Sequence, residues 1–431
     1  MTIIIGGGIS GLALAWQLQQ AGKPYLLLEA DSVPGGKIKT IQHNGFLMDT
    51  GPNTLLADET VFGFIHSLGL NEEWISPAPV SKQRFIFRNG KFHGLSPNPL
   101  RLLTTPLLSW KAKRQIWQER NQPRQQVQNE TFASFITRRF GAEILDWVAT
   151  PVQYGIHAAD PGQLLVADAF PTLVRFEQET GSVVRGLMKA SRQRQQTINF
   201  KSGMATLPLT IANRLKHMRL DCKVRQVQHT GDRWKIAFEK DEEPIWADQV
   251  VICTPAYQAA AILSGHPDVE GPLKQVRYNH MAIVHRSVLK AHTNFDFGGF
   301  GGLIPPAAGK ISAGSIWASS VFPGRAPGEA HLMAQFVGGA LQAAAFGMPP
   351  DHMLGLLDAE SKEIFQFQMS DIQAVTRWEW GIPQYDLQRR DAQQKVDQYK
   401  PPGLYFLSNW LGGISVADCI RNAIALEPKL S

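Results

Sequence analysis

The sequence predicts an α/β (α+β) chain: a Rossmann-like domain assembled from discontinuous segments, a β-rich domain and a helical domain. Three observations carry that prediction. An apolar β-branched run, Thr2-Ile3-Ile4-Ile5, stops at a glycine cluster, as a buried parallel strand feeding a tight turn does. Alternating strands and helices break off after the first segment and resume only near Lys201. The interval from Val276 to Gln373 is rich in glycine and in strand-like runs.

The first glycines fall at Gly6, Gly8 and Gly11, a G-x-G-x-x-G spacing between a strand and a helix. Gly6 allows the turn, Gly8 lets the backbone approach a pyrophosphate, and Gly11 lets the next helix lie close to the strand. That helix, Ser10 to about Ala21, aims its unpaired N–H groups and positive dipole end at phosphates. Gly22 stops it. Tyr25-Leu26-Leu27-Leu28 reads as the second strand and ends at Glu29, eighteen residues past Gly11, where an acid can hold a ribose hydroxyl. The acid favours NAD or FAD over NADP, and the motif alone does not choose between those two.

The totals bound the rest. Length alone predicts about two or three domains, and 44% hydrophobic with 19% charged residues supplies large cores. A net charge of +6 suits anionic substrates or anionic lipid. No zinc-finger or RNA-binding signature is present, so no nucleic acid partner is expected. Cys222, Cys253 and Cys419 are far apart and outline neither a disulfide scaffold nor a zinc site. Only Met1 precedes the first strand, and no run of about 18 apolar residues occurs. A cytoplasmic protein is expected, with peripheral contact to the inner face of a membrane left open. Oligomeric state is not legible.

After Glu29, the pair Gly35-Gly36 gives an exposed turn beside Lys37. A short strand, Gly45 to Asp49, leads to a second turn, Gly51-Pro52-Asn53-Thr54. Val80 to His93 reads as a hairpin about Asn89-Gly90, with Arg84 just before its apolar part. Pro97 to Arg120 combines Leu107, Leu108 and Trp110 with Lys111, Lys113 and Arg114. It fits either an interfacial amphipathic surface or a lid packed on its own core with a solvated basic edge. Thr131 is an expected N-cap for a helix carrying Phe132, Phe135, Ile136 and Phe140. A second apolar set, Ala142, Leu145 and Val148, is expected to stop at Pro151. Ser182 to Lys189 reads as a further helix with a basic tail at Arg192 to Gln196.

A turn at Gly203 opens a helix to about Leu215, Cys222 to Val227 pairs with Trp234 to Glu239, and Asp248 to Pro255 is a buried strand. Ala282–Leu289, Gly298–Ile304, Gly314–Val321 and Ala330–Gly338 are expected strands of an antiparallel sheet. Leu404 to Cys419 is one more strand, glycine turn and helix, returning to the first domain.

E-x-x-x-x-x-G-G from Glu29, followed by a short strand and Asp49-x-Gly51-Pro52, resembles the flavin amine oxidase and protoporphyrinogen oxidase superfamily. Pro151 to Pro161, Ala169 to Leu173, Gly203-Met204 with Leu207-Pro208, and Asn409 to Arg421 resemble the protoporphyrinogen/coproporphyrinogen oxidase branch. The resemblance runs from Thr2 to Arg421 and moves the cofactor choice to FAD. It implies that FAD is held noncovalently by Gly6, Gly7, Gly8, Ile9, Ser10 and Gly11, by Glu29 and Ala30, and by Gly36 and Lys37. Gly51, Pro52, Asn53 and Thr54 join them, with Val224 clamping the adenine and Asn409, Ile414, Ser415 and Val416 at the isoalloxazine end. It further implies that Arg84 faces a substrate propionate and that Gly155 lies over the flavin. Lys37 stands where an aromatic or arginine is common, and His157, where an aromatic is common, is expected to be a neutral core histidine.

The implied reaction is hydride loss from a porphyrinogen ring carbon to flavin N5, with oxygen reoxidising the flavin. Protoporphyrinogen is the first reading. Coproporphyrinogen oxidation, amine oxidation and flavin or porphyrin binding without turnover are the alternatives. The expected division is 1–75, 200–260 and 380–431 for FAD, 76–95 and 261–379 for substrate, and 96–199 for the helical, membrane-associating part.

Overall fold

The computed structural model describes residues 1–96, 104–189, 195–240, 242–367 and 369–431. A five-stranded parallel sheet forms its nucleotide-binding centre. We label its strands β1 (Thr2–Ile5), β2 (Tyr25–Leu28), β3 (Met218–Arg219), β4 (Gln249–Ile252) and β5 (Leu404–Phe406). They lie in the order β3-β2-β1-β4-β5, with Ile4 opposite both Leu27 and Val251. All four residues of β1 are buried, as expected of a strand covered on both faces. Helix α1 (Ile9–Gln20) is buried along nearly its whole length and packs beside a C-terminal helix on one face. Trp234, Ala259 and Leu273 cover the other face.

A seven-stranded sheet lies beside it. Its order is Asp371–Pro383, Tyr278–Leu289, Ala330–Gly338, Ser312–Ile316, Gly301–Leu303, Arg84–Arg88 and Lys91–Leu95. The Asn89-Gly90 hairpin closes as expected, with φ of 53° and 76° at its two central residues. The strand expected over Gly314–Val321 ends at Ile316 instead, and Ala318–Val321 turns helical. Trp317 caps that change, buried against Phe85 and Phe297.

One other expectation needs correction. The helical run after Ala142 does not stop at Pro151. It widens to a π-helical stretch over Leu145–Ala149 and continues as α2 (Thr150–His157). A wider turn tolerates the missing proline N–H, and such bulges concentrate at functional sites. The amphipathic stretch takes the second of its two readings, a lid packed on the core. Residues 97–103 lie outside the described residues, as do 190–194 of the basic tail. Leu107 and Leu108 are buried with Ala112 and Ile116 against Phe135, so they are core and not an exposed apolar face. Trp110 and Trp117 do stand out, 83% and 53% exposed, with Lys113 and Arg120 over their rings. Among the described residues no helix is long and apolar enough to cross a membrane.

Candidate cofactor and substrate site

β1 breaks at Gly6, whose φ is +111° and whose N–H donates to Leu28 O at 2.8 Å. A Cβ on Gly11 would stand 2.0 Å from Gly6 O, so only glycine lets α1 begin there. A Cβ on Gly8 would meet nothing within 4 Å. Gly8 is also the N-cap of α1 and supplies no side chain, and the first turn holds no acid. The N–H groups of the first turn therefore meet no acid from the helix itself, which suits a phosphate. The Gly35-Gly36 turn closes on this loop: Gly35 N–H donates to Gly7 O at 2.8 Å, and a Cβ on Gly36 would sit 3.4 Å from Gly8 Cα.

Glu29 ends β2 facing the same loop. Its carboxylate accepts from Gly7 N–H at 2.5 Å and from Asp31 N–H at 2.8 Å. Lone pairs remain for ribose hydroxyls. Ala30 follows it, and Cys222 N–H reaches back to Glu29 O at 2.8 Å. That contact brings Val224, where the strand bulges, to the Glu29 end of the cleft. At the end of β4, Thr254 packs against Gly6 with its hydroxyl buried and unpartnered. An orphaned hydroxyl beside an uncapped helix start is what a bound dinucleotide would complete.

Lys37 is largely withdrawn from water, and burial pulls its pKa down to about 8. Its ammonium donates to Gly381 O at 2.8 Å and lies 5.3 Å over the Tyr278 ring. The Gly51-Pro52-Asn53-Thr54 turn is held from beneath: Asn199 donates to Asn53 O at 2.8 Å, and Trp378 Nε1 to Thr50 O at 2.7 Å. A Cβ on Gly51 would stand 1.9 Å from Lys37 O.

The helix after the last glycine turn, α3 (Val416–Leu426), begins differently. Ser415 is its N-cap, accepting from Asp418 N–H at 3.0 Å, while Asp418 accepts from Ser415 N–H at 3.2 Å. Arg421 in turn joins Asp418 to Asp58. The Ser415 hydroxyl is thus committed within the chain, and only the N–H groups of Val416 and Ala417 remain to a ligand. Asn409 is fixed through its carbonyl, which accepts from the Tyr385 hydroxyl at 3.0 Å, and that hydroxyl accepts from Gly413 N–H at 2.9 Å.

The two residues expected at the substrate are linked only indirectly, through two paired strands. Gly155, exposed on α2, faces Leu303, whose Cδ2 lies 3.1 Å from a Cβ placed there. Leu303 packs in the same apolar cluster as Ile414 and Phe170. It pairs with Ile86, two residues along the strand from Arg84. Arg84 itself is exposed, its guanidinium 4.3 Å over the Phe300 ring. His157 is buried between Phe170 and Tyr385, its pKa lowered to about 4, and is neutral at ordinary pH. Burial pushes the Cys253 thiol up and the Cys419 thiol to about 11.

Sequence reasoning missed an aromatic wall beside the Asn409–Gly413 turn. A cleft of about 310 Å³ is lined by Arg277, Tyr278, His280, Trp380, Tyr385 and Asp386. Tyr385 joins this cleft to the Asn409–Gly413 turn. The only signal available was the aromatic density of Trp378-Glu379-Trp380 and Tyr385 around one strand end.

A glycine cradle, a ribose acid and a second strand–turn–helix at the far end of one parallel sheet define a dinucleotide-binding oxidoreductase. The chain belongs to the flavin containing amine oxidoreductase family, whose profile matches residues 9–425. Its cofactor is FAD, and it is an FAD-dependent oxidoreductase. It is 27% identical to protoporphyrinogen oxidase 2, chloroplastic/mitochondrial, of Arabidopsis thaliana, over 97% of this chain and 91% of that one. It is 23% identical to coproporphyrinogen III oxidase of Bacillus subtilis (strain 168), over 97% and 95%. The fold matches a crystal structure from Exiguobacterium sp. 255-15, provisionally named a protoporphyrinogen oxidase, at a TM-score of 0.83 and 21% identity over 99% and 98% of the chains.

Proposed function

We propose that this protein oxidises a porphyrinogen, with protoporphyrinogen IX as substrate and protoporphyrin IX as product. The observation that carries the reading is the near-full-length relatedness to enzymes named for two porphyrinogens. When bound, FAD supplies the hydride acceptor for each step, and oxygen is the proposed final acceptor. The chain's task is then to bind and orient.

In this reading Gly6–Gly11, Glu29, Ala30, Gly36, Lys37, Gly51–Thr54, Val224, Asn409 and Ile414–Val416 hold FAD without a covalent bond. The high thiol pKa of buried Cys419 supports the noncovalent assignment. Lys37 meets a polar part of the cofactor, where a partner anion would return its depressed pKa toward the usual lysine value. Gly155 and Leu303 form an apolar floor beside Ile414, and Arg84 receives a propionate at the rim. No strong base is assigned: once the hydride has left, the cationic macrocycle's N–H proton is acidic enough to pass to water, and buried His157, its pKa lowered to about 4, is a weak base. Residues 1–75, 200–260 and 380–431 then act as the cofactor part, 76–95 and 261–379 as the substrate part, and 96–199 as the helical part. Trp110 and Trp117 with Lys113 and Arg120 would rest that helical part on an anionic membrane.

Coproporphyrinogen III is the second reading, favoured by the Bacillus subtilis relative. Against it, Lys274 and Arg277 beside the Tyr385 cleft are already paired with Glu270 and Asp386. The test adds each porphyrinogen separately to the yellow protein in air and follows porphyrin fluorescence. A rise above the spontaneous rate with protoporphyrinogen is expected. Equal traces with and without protein for both substrates would overturn the oxidase reading.

A further inference from the structure

The seven-stranded sheet reaches under the Asp49–Thr54 turn at a small pocket that none of the roles above uses. Asp49 and Asn53 bound it from the turn, and His285, Phe322 and Arg325 bound it from the sheet side. Arg325 is 2% exposed and His285 is 1% exposed. Arg325 Nη2 donates to Phe200 O at 3.0 Å and stands 3.8 Å from the Asp49 carboxylate. Its Nη1 is buried and unpartnered. His285 donates one ring N–H to the Asp49 backbone carbonyl, and burial lowers its pKa to about 4, so it is neutral. Its Nδ1 is likewise buried and unpartnered, and in a neutral ring that nitrogen is an acceptor.

A buried donor and a buried acceptor, neither with a partner among the described residues, thus belong to two residues that line one pocket. Leaving either unmade costs about 1–3 kcal/mol. The pocket has about 10 Å³ of room for the centre of a water-sized sphere, near the ~10–15 Å³ that one buried water needs. The 3.8 Å between Arg325 Nη2 and the Asp49 carboxylate is too long for a direct hydrogen bond, so Asp49 attracts the guanidinium without satisfying it. The nearby carboxylate disfavours a small anion.

We propose that this pocket binds one ordered water, accepting from Arg325 Nη1 and donating to His285 Nδ1. That bridge makes Arg325 and His285 positioning residues for the Gly51–Thr54 turn, and this second part rests on the reading that the turn holds FAD. The sheet that carries the substrate wall would thereby set the height of the cofactor's bed. Other clamps act on the same turn, the Trp378 bond to Thr50 O and the Asn199 bond to Asn53 O, and the water completes them.

Two experiments test it. A high-resolution crystal structure of the FAD-loaded protein is expected to show one water within hydrogen-bonding distance of both atoms. No density there, or direct contact between the two side chains, overturns the water site. FAD titration of the apoprotein then reads His285→Phe, Arg325→Met and the double variant. Each single change is expected to weaken FAD by at least about tenfold, and the double change by clearly less than the product of the two, since both break one bridge besides a bond of their own. Additive losses, or unchanged affinity, overturn the positioning role. Should Arg325→Met fail to fold, Arg325→Lys keeps the charge, moves the donors and is read the same way. Should Gly8→Val retain FAD, the cofactor reading fails on its own while the crystallographic water still stands or falls by its density.

Discussion

The two helices that begin at glycine turns beside the parallel sheet are built on opposite plans. α1 starts at Gly8 with no capping side chain and no acid in its first turn. α3 starts at Ser415 with a reciprocal cap from Asp418 and a cation, Arg421, behind it. A helix start answered by its own chain is stable without a ligand; one left open is stable only where a ligand or water answers it. The contrast teaches which end takes the formal charge. In the proposed reading the pyrophosphate lies at α1, and α3 offers at most two N–H groups to a less charged ring edge.

Breaking the first plan should give the largest effect. Gly11→Val drives a side chain into Gly6 O, 2.0 Å from its Cβ, and should cost at least about 3 kcal/mol. Loss of soluble, folded protein by circular dichroism is the expected result. Gly8→Val separates folding from binding, because its Cβ meets open space and its φ of −71° suits valine. It should purify folded and colourless, and a yellow variant at full occupancy would refute the cradle.

A pH scan removes the remaining ambiguity between the termini and the interior. His157 and His285 have folded pKa values lowered to about 4 from 6.5. Between those values the unfolded chain binds more protons, so stability is full above about pH 6.5 and falls as pH drops toward 4. Each histidine contributes up to about 3 kcal/mol of that loss. The thermal midpoint should fall equally in wild type and Gly8→Val, and the slope should lessen in His157→Phe. A slope confined to the wild type would place the titration at the cofactor loop instead.

Smaller changes sharpen the contrast. Glu29→Gln keeps the shape but weakens a charge-assisted acceptor, and FAD affinity should drop about tenfold in fluorescence titration. Ser415→Ala should lower apoprotein stability by about 1 kcal/mol in urea unfolding, with FAD still retained. If Ser415→Ala loses FAD as readily as Glu29→Gln does, the two helix starts share one role after all.

What was legible in the sequence was local. Gly6 and Gly11 speak through backbone sterics, and Asn89-Gly90 through the turn it forces, so neither depends on distant partners. Leu107 was ambiguous because an amphipathic pattern is the same whether its apolar side meets lipid or Phe135. Pro151 failed as a stop because the register change at Leu145–Ala149 is not written in any residue type. The Tyr278–Trp380–Tyr385 wall was invisible for another reason: its members come from two strands and a loop that only the seven-stranded sheet brings together.

The order of that central sheet also governs when the protein can become an enzyme. β1 pairs with β4, so Thr2 waits for Gln249, 247 positions on, and β5 arrives only at Leu404. At roughly 5–20 residues per second of synthesis, Ile3, Ile4 and Ile5 lack that neighbour for about ten to fifty seconds. Through that interval a wholly apolar strand edge is open to chaperones and to other nascent chains. Cofactor capture is therefore a late event, because the cradle at Gly6–Gly11 is complete only once β4 has joined the sheet.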